Sequence, residues 1–121
     1  ACEDAGILPE DIDAIVGFGN GMSQVDDIET ESYKRIFGDS FNNKPVFTVK
    51  DTTGEGRAAS AALSAGHAAL MLAGRLSDEC RGYIYNGSKM EHVVKPVSAI
   101  ERILVTSYGI GGSYCAVIIE K

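Results

Sequence analysis

Few residues of this chain could carry acid–base, nucleophilic or metal chemistry, and their spacing narrows the choices further. The cysteines, Cys2, Cys80 and Cys115, are odd in number and far apart. That is the usage of reduced thiols, not of a disulfide framework. His67 and His92 have no cysteine or acidic cluster at metal-ligand spacing, so no metal is expected. His67 lies among small residues and reads as a structural histidine. Lys50 and Glu55 place a cation near a carboxylate that could act as a base or a buried acid. The plainer reading is that Glu55 caps the helix after it, or pairs with Lys50 or Arg57. Gly54-Glu55-Gly56 also invites a phosphate-cradle reading, but it lacks the Gly-Lys-Ser/Thr ending and Glu55 would repel a phosphate. Asn20, inside Gly17-Phe18-Gly19-Asn20-Gly21, is either a hydrogen-bond donor to a substrate or a turn residue.

These residues must be positioned by the elements between them. Ile12 to Phe18 reads as a buried strand running into the glycine-rich loop. A helix is expected from Asp26-Asp27, with Val25, Ile28, Tyr33, Ile36 and Phe37 at near-helical spacing and Gly38 as its C-cap. The acidic residues Asp26, Asp27, Glu29 and Glu31 read as its solvated face. Lys44 to Lys50 contains a short strand, and Ala58 to Leu76 an alanine-rich helix suited to close packing. Tyr83-Ile84-Tyr85 is a weaker strand signal. Ile103 to Ser107 and Tyr114 to Ile119 are firm strands, joined by Tyr108-Gly109-Ile110-Gly111-Gly112-Ser113. The alternation of strands and helices predicts an α/β fold, a sheet with helices packed on it. Ala1 to Gly6 reads as the last turn of a helix, and six residues cannot sustain a helix alone.

Composition excludes whole classes of function. The chain has 121 residues, 45% hydrophobic and 23% charged, an ordinary globular balance. Seventeen acidic residues against 11 basic give a net charge of −6, which disfavours nucleic acid and anionic membranes as partners. No apolar run is long enough to span a bilayer. The start, Ala1-Cys2-Glu3-Asp4, lacks the basic and apolar stretches of a signal peptide, which points to the cytoplasm.

Four segments in this order resemble the C-terminal half of the β-ketoacyl synthases, condensing enzymes of the thiolase fold. Ala5-Gly6-Ile7-Leu8-Pro9-Glu10-Asp11-Ile12-Asp13 is similar to the helix end and turn before a central strand. Gly19-Asn20-Gly21-Met22-Ser23, followed by Asp26, Glu29 and Phe37-Gly38, stands where the family has its His-Gly-Thr-x-Thr loop and helix. Lys50-Asp51-Thr52-Thr53-Gly54-Glu55 resembles the Lys-x-x-x-Gly-His loop. Tyr108-Gly109-Ile110-Gly111-Gly112 resembles the terminal Phe-Gly-Phe-Gly-Gly hairpin. Residues 78–102 fit poorly. The resemblance implies a mixed sheet and the C-terminal half of a thiolase-like fold spanning residues 1–121, incomplete without its other half and lacking the start of its first helix and the strand before it. The Ala58 helix would then be the central buried helix of that half.

The departures from the family pattern carry the functional expectation. The two histidines that the resemblance would place in this half are replaced by Asn20, in a loop shorter by two residues, and by Glu55. Ser64 replaces the family's glutamate one helix further on, and Lys50 is retained. An amide supplies no proton near neutral pH, and a carboxylate repels the enolate that the site must stabilise. The pattern is similar to the chain-length factors of type II polyketide synthases. That similarity implies no catalytic residue in this chain and no cofactor. Its implied partners are the other half of the thiolase fold and an active ketosynthase subunit, with an acyl carrier protein engaged indirectly. The hairpin residues Tyr108, Gly109, Ile110, Gly111 and Gly112 would then border the acyl tunnel, Ile110 at the gating position. The alternative is a divergent active synthase or acyltransferase with its nucleophilic cysteine on the other half.

Overall fold

The computed structural model describes residues 1–76, 79–96, 99–109 and 111–121, with only the backbone of 43, 79, 80 and 94–96. Among the described residues, four α-helices, α1 (Cys2–Ala5), α2 (Ser23–Phe37), α3 (Lys50–Thr53) and α4 (Ser60–Leu72), pack with six strands. The strands are β1 (Ala14–Val16), β2 (Val46–Phe47), β3 (Glu79–Tyr85), β4 (Met90–Pro96), β5 (Arg102–Gly109) and β6 (Ser113–Glu120). They form one sheet in the order β4-β3-β2-β1-β5-β6. β1 runs parallel to β2 and β5, and the other pairings are antiparallel, so the sheet is mixed.

β1 lies at the centre because its three residues are apolar and all buried. Strand side chains alternate between faces. Ile15 therefore packs with Tyr33, Phe37, Phe41 and Leu104 on the α2 side. Ala14 and Val16 pack with Ala68, Met71, Leu72 and Val105 on the α4 side. Across the sheet, a Cβ on Gly82 of β3 would fall 2.8 Å from Phe47 Cδ1 and 2.9 Å from the Val46 carbonyl oxygen. Only glycine lets β3 cross Phe47 that closely.

Several boundaries differ from the sequence expectations. α2 begins at Ser23, ahead of Asp26, because the Met22 carbonyl accepts the amides of Val25 and Asp26. The Asp26 carboxylate turns outward to the Asn20 amide at 3.2 Å and caps nothing. Gly38 does end the helix, with φ 55° and its amide on the Lys34 carbonyl. The buried stripe of α2 is Glu29, Tyr33 and Phe37, while Ile28 and Ile36 stay 69% and 53% exposed. The expected solvated face is therefore wrong at Glu29, which is 4% exposed. Residues 57–59 form a 3-10 turn before α4, which stops at Leu72. The Tyr83 strand extends to seven residues and pairs with β4, which lacks a clear sequence signal.

α4 is apolar nearly all round yet buries one stripe, Ser60, Ser64, Ala68, Met71 and Leu72. Leu63 and Leu70 on its other side are 40% and 47% exposed. Helices apolar on every side are ordinarily covered on every side. β6 is exposed along most of its length, Tyr114 by 76%. The accessible surface of the chain is 7258 Å². A compact monomer of its mass would expose roughly 6,300 Å².

Candidate functional site

The C-terminal ends of β1 and β2 carry the two loops that hold Asn20 and Lys50. The Thr48 hydroxyl donates to the Gly19 carbonyl at 3.0 Å and joins the loops. Phe18 then lies against the Lys50 ammonium, 3.1 Å from its ring centroid. The Lys50 side chain is 6% exposed, and Glu55 Oε2 lies 3.0 Å from its nitrogen. That contact is ionic, off the angle of a good hydrogen bond. A desolvated cation on an aromatic face gains about 2 kcal/mol, so the ring replaces much of the water that Lys50 loses.

Glu55 is fixed from three directions. Its Oε1 accepts the Arg57 amide and the Ser60 hydroxyl, both at 2.7 Å, and its other oxygen faces Lys50. These bonds, the Ser60 one foremost, lower its pKa from 4.5 to about 2. The capping contact and the Lys50 pairing therefore both form. Stabilisation by this carboxylate is complete above about pH 4.5 and vanishes as the pH falls through about 2. Glu55→Gln is accordingly expected to lower stability at pH 7 and to match the parent near pH 2. A carboxyl-carbon NMR titration of Glu55 with a midpoint near 4.5 would contradict this.

Asn20 serves its own turn. Its Oδ1 accepts the Met22 amide at 3.0 Å, an Asx turn, and its backbone amide donates to Asp26. Burial raises the Asp26 pKa, opposed by the amide of Asn20. Among the described residues no hydrogen bond joins Asn20 to Lys50 or Glu55. The two histidines line a different cleft, of about 720 Å³, with Arg81, Asp51 and Tyr83. Burial lowers the His67 pKa, which favours the neutral imidazole. Among the described residues no three His, Cys, Asp or Glu side chains are grouped to hold a metal, and Cys2 and Cys115 are free.

The residue that organises the site is Glu29. Its Oε1 accepts the Phe18 amide at 2.8 Å and its Oε2 the Gly19 amide at 3.0 Å. The Tyr33 hydroxyl donates to Oε1 at 2.6 Å. The Thr106 hydroxyl lies 3.0 Å from the same oxygen and 2.6 Å from Tyr33. Among the described residues no cation pairs with this carboxylate; backbone and hydroxyl donors take that place. Burial first, and the Glu29 charge second, push the Tyr33 pKa well above 10. The signal for Glu29 was its i, i+4, i+8 alignment with Tyr33 and Phe37.

The hairpin closes the other side. Tyr108 meets Phe18 edge-on at 5.3 Å and its cross-strand partner Tyr114 at the same distance. Gly109 pairs with Ser113, and the Gly112 amide donates to the Gly109 carbonyl. Gly111 and Gly112 both have positive φ. Ile110, the expected gating position, lies outside the described residues. Beside the hairpin a cleft of about 240 Å³ is lined by Arg57, Ala61, Tyr108, Gly109, Ser113 and Cys115. The geometry thus gives loops braced by aromatic contacts, an ion-paired lysine and a fixed carboxylate, with no imidazole among them.

Residues 1–81 match the sequence profile described as "Beta-ketoacyl synthase, C-terminal domain". The chain belongs to the β-ketoacyl synthase family. The match takes in the Asn20, Lys50 and Glu55 segments and ends before the terminal hairpin. No curated protein sequence matches the chain. One similar solved structure is described as "AntDE:AntF (apo): type II PKS acyl-carrier protein in complex with its ketosynthase bound to the hexaketide". The TM-score is 0.79 at 21% identity, over 99% of this chain and 30% of that one. The synthase domain described here therefore shares that fold throughout, hairpin included, and spans less than a third of that chain's length. Among the described residues no helix is long and apolar enough to cross a membrane.

Proposed function

We propose that this domain belongs to a ketosynthase-like subunit of the chain-length-factor type. Such a subunit pairs with an active ketosynthase and shapes the space in which an acyl chain grows. The observation that carries this reading is the state of Glu55 at the second histidine position. It is ionised to about pH 2 and held by Arg57, Ser60 and Lys50. Such a group neither donates a proton at neutral pH nor welcomes the oxyanion of a condensation. Asn20 in its turn supplies no replacement.

The open faces support a partnered role. The uncovered side of α4 and the free edge of β6 suit the other half of a thiolase-like fold, which would make α4 a central helix and bury the sheet edge. Residues 1–121 are then one ketosynthase-like C-terminal domain, with the start of its first helix and the strand before it among the parts that complete the fold. The active ketosynthase would receive its acyl units from a carrier protein, in the cytoplasm, and the cleft beside Tyr108, Gly109 and the adjoining Ile110, Gly111 and Gly112 would border the growing chain. The acidic α2 surface points the carrier docking patch to a different chain, because carrier proteins of such systems are themselves acidic.

The test is labelling of the purified complex with cerulenin, a thiol-directed trap of condensing enzymes, followed by peptide mass mapping. Label confined to the partner ketosynthase is expected. Stoichiometric label on a nucleophilic cysteine of the polypeptide that completes this fold would make it an active synthase and overturn the reading.

A further inference from the structure

The cleft of about 720 Å³ that holds both histidines is built apart from the glycine-rich loop and the terminal hairpin. One wall is the β3–β4 ribbon. Gly82 sits against Phe47, so its neighbours Arg81 and Tyr83 leave the opposite face of the strand. His92 pairs with Tyr83 across the ribbon, and the two rings meet edge-on at 5.7 Å. The other wall comes from α3, with Asp51 and Thr52, and from α4, with His67. The Tyr83 hydroxyl donates to Asp51 Oδ2 at 3.0 Å and ties the two walls together.

This cleft is rich in hydrogen-bond donors. Arg81 brings five N–H groups in a planar fork, each imidazole brings at least one, and Thr52 brings a hydroxyl. The Asp51 carboxylate, which also lines it, already accepts Tyr83. Leu76 and the Tyr83 ring add apolar surface. The volume is that of a small-molecule site, about 300–1,000 Å³, and exceeds what a bare ion needs. Tyr83 and His92 lie beyond residue 81, where the match to the family profile ends.

We infer that this cleft binds a phosphate ester, its phosphate met by Arg81, the two imidazoles and Thr52, and its organic group by Leu76 and the Tyr83 ring. The guanidinium fork matches two phosphate oxygens at once. A phosphate monoester has three terminal oxygens for donors arriving from both walls, where a carboxylate has two. The assignment stands apart from the function proposed above, because Asn20, Lys50, Glu55 and Tyr108 lie outside the lining of the cleft.

The test is isothermal titration calorimetry of the full-length protein with phenyl phosphate, inorganic phosphate and phenol. Phenyl phosphate is expected to bind with a Kd at or below about 1 mM. Inorganic phosphate should bind at least roughly tenfold more weakly, and phenol not measurably. Arg81→Gln should weaken phenyl phosphate by roughly tenfold or more, the loss of one charged hydrogen-bond donor. Asp51→Asn should tighten it several-fold, because it removes a like charge from the cleft. No misfolded variant can give that second result. Absence of saturable binding to phenyl phosphate would overturn the proposal. So would unchanged affinity in Arg81→Gln, or weaker binding in Asp51→Asn. Inorganic phosphate binding as tightly as the ester would overturn the assignment to an ester and leave only an anion seat.

Discussion

Glu29→Ala will destabilise the domain by about 3–5 kcal/mol, because it leaves several buried donors without their acceptor. The substitution strips the acceptor from the Phe18 and Gly19 amides and leaves Tyr33 and Thr106 without their shared oxygen. Each polar group orphaned in the interior costs about 1–3 kcal/mol. The sum is held down because Glu29 lines a cleft of about 210 Å³ that water can enter. Exchange of the β5 core amides, which open only when the sheet unfolds, should accelerate by more than a hundredfold. A loss below about 1 kcal/mol would show that the loop is held by other means.

Phe41→Ala should cost a similar amount, about 3–5 kcal/mol, the usual range for an emptied aromatic site. Phe41 is fully buried within an aromatic cluster. Its ring centroid is 5.5 Å from Tyr85, 5.6 Å from Tyr33 and 6.4 Å from Phe37. The cluster joins α2 to β3, so the vacancy loosens a helix and a strand together. Urea titration followed by circular dichroism measures the loss, and Phe41→Leu should recover most of it. Equal losses for leucine and alanine would mean that ring stacking, not volume, sets the stability.

Much of the frame was legible in the sequence. β1, α2, β2, α4, β5 and β6 appear near where apolar period and glycine punctuation placed them, and their order gave the α/β class, while the mixed sheet was implied by the family resemblance. The errors have physical causes. Ile28 and Ile36 satisfy a helical period but lie on the outer side of α2, since a stripe anchored by Tyr33 and Phe37 gives the position one turn before them to Glu29. Charge argued for exposure there, and a nest of backbone amides outweighed it. β4 carries His92 and Lys95 on an edge, where mixed polarity weakens any strand signal. Phe41 sits in a 3-10 segment, Gly38–Asn43, that has no period to detect. At the site, Asn20, Lys50 and Glu55 were visible by type and order, and the helix-start cap by Glu55 and its pairing with Lys50 were among the plain alternatives, whereas an ion pair with Arg57 does not form. The bracing by Phe18, Tyr33 and Thr106 was not visible, because it joins residues that only the folded sheet brings together.

The central position of β1 also orders events during synthesis. Its parallel neighbour β5 lies far along the chain, and Asp13 accepts the Arg102 amide across 89 positions. At translation rates of 5–20 residues per second, that interval takes roughly 5–20 s. Until β5 emerges, β1 has only the two-residue β2 beside it, and Glu29 has no Thr106. The nascent chain therefore carries its most hydrophobic strand and a solitary carboxylate in water for that time. It should engage a ribosome-associated chaperone up to the emergence of the terminal hairpin, and release it soon afterwards.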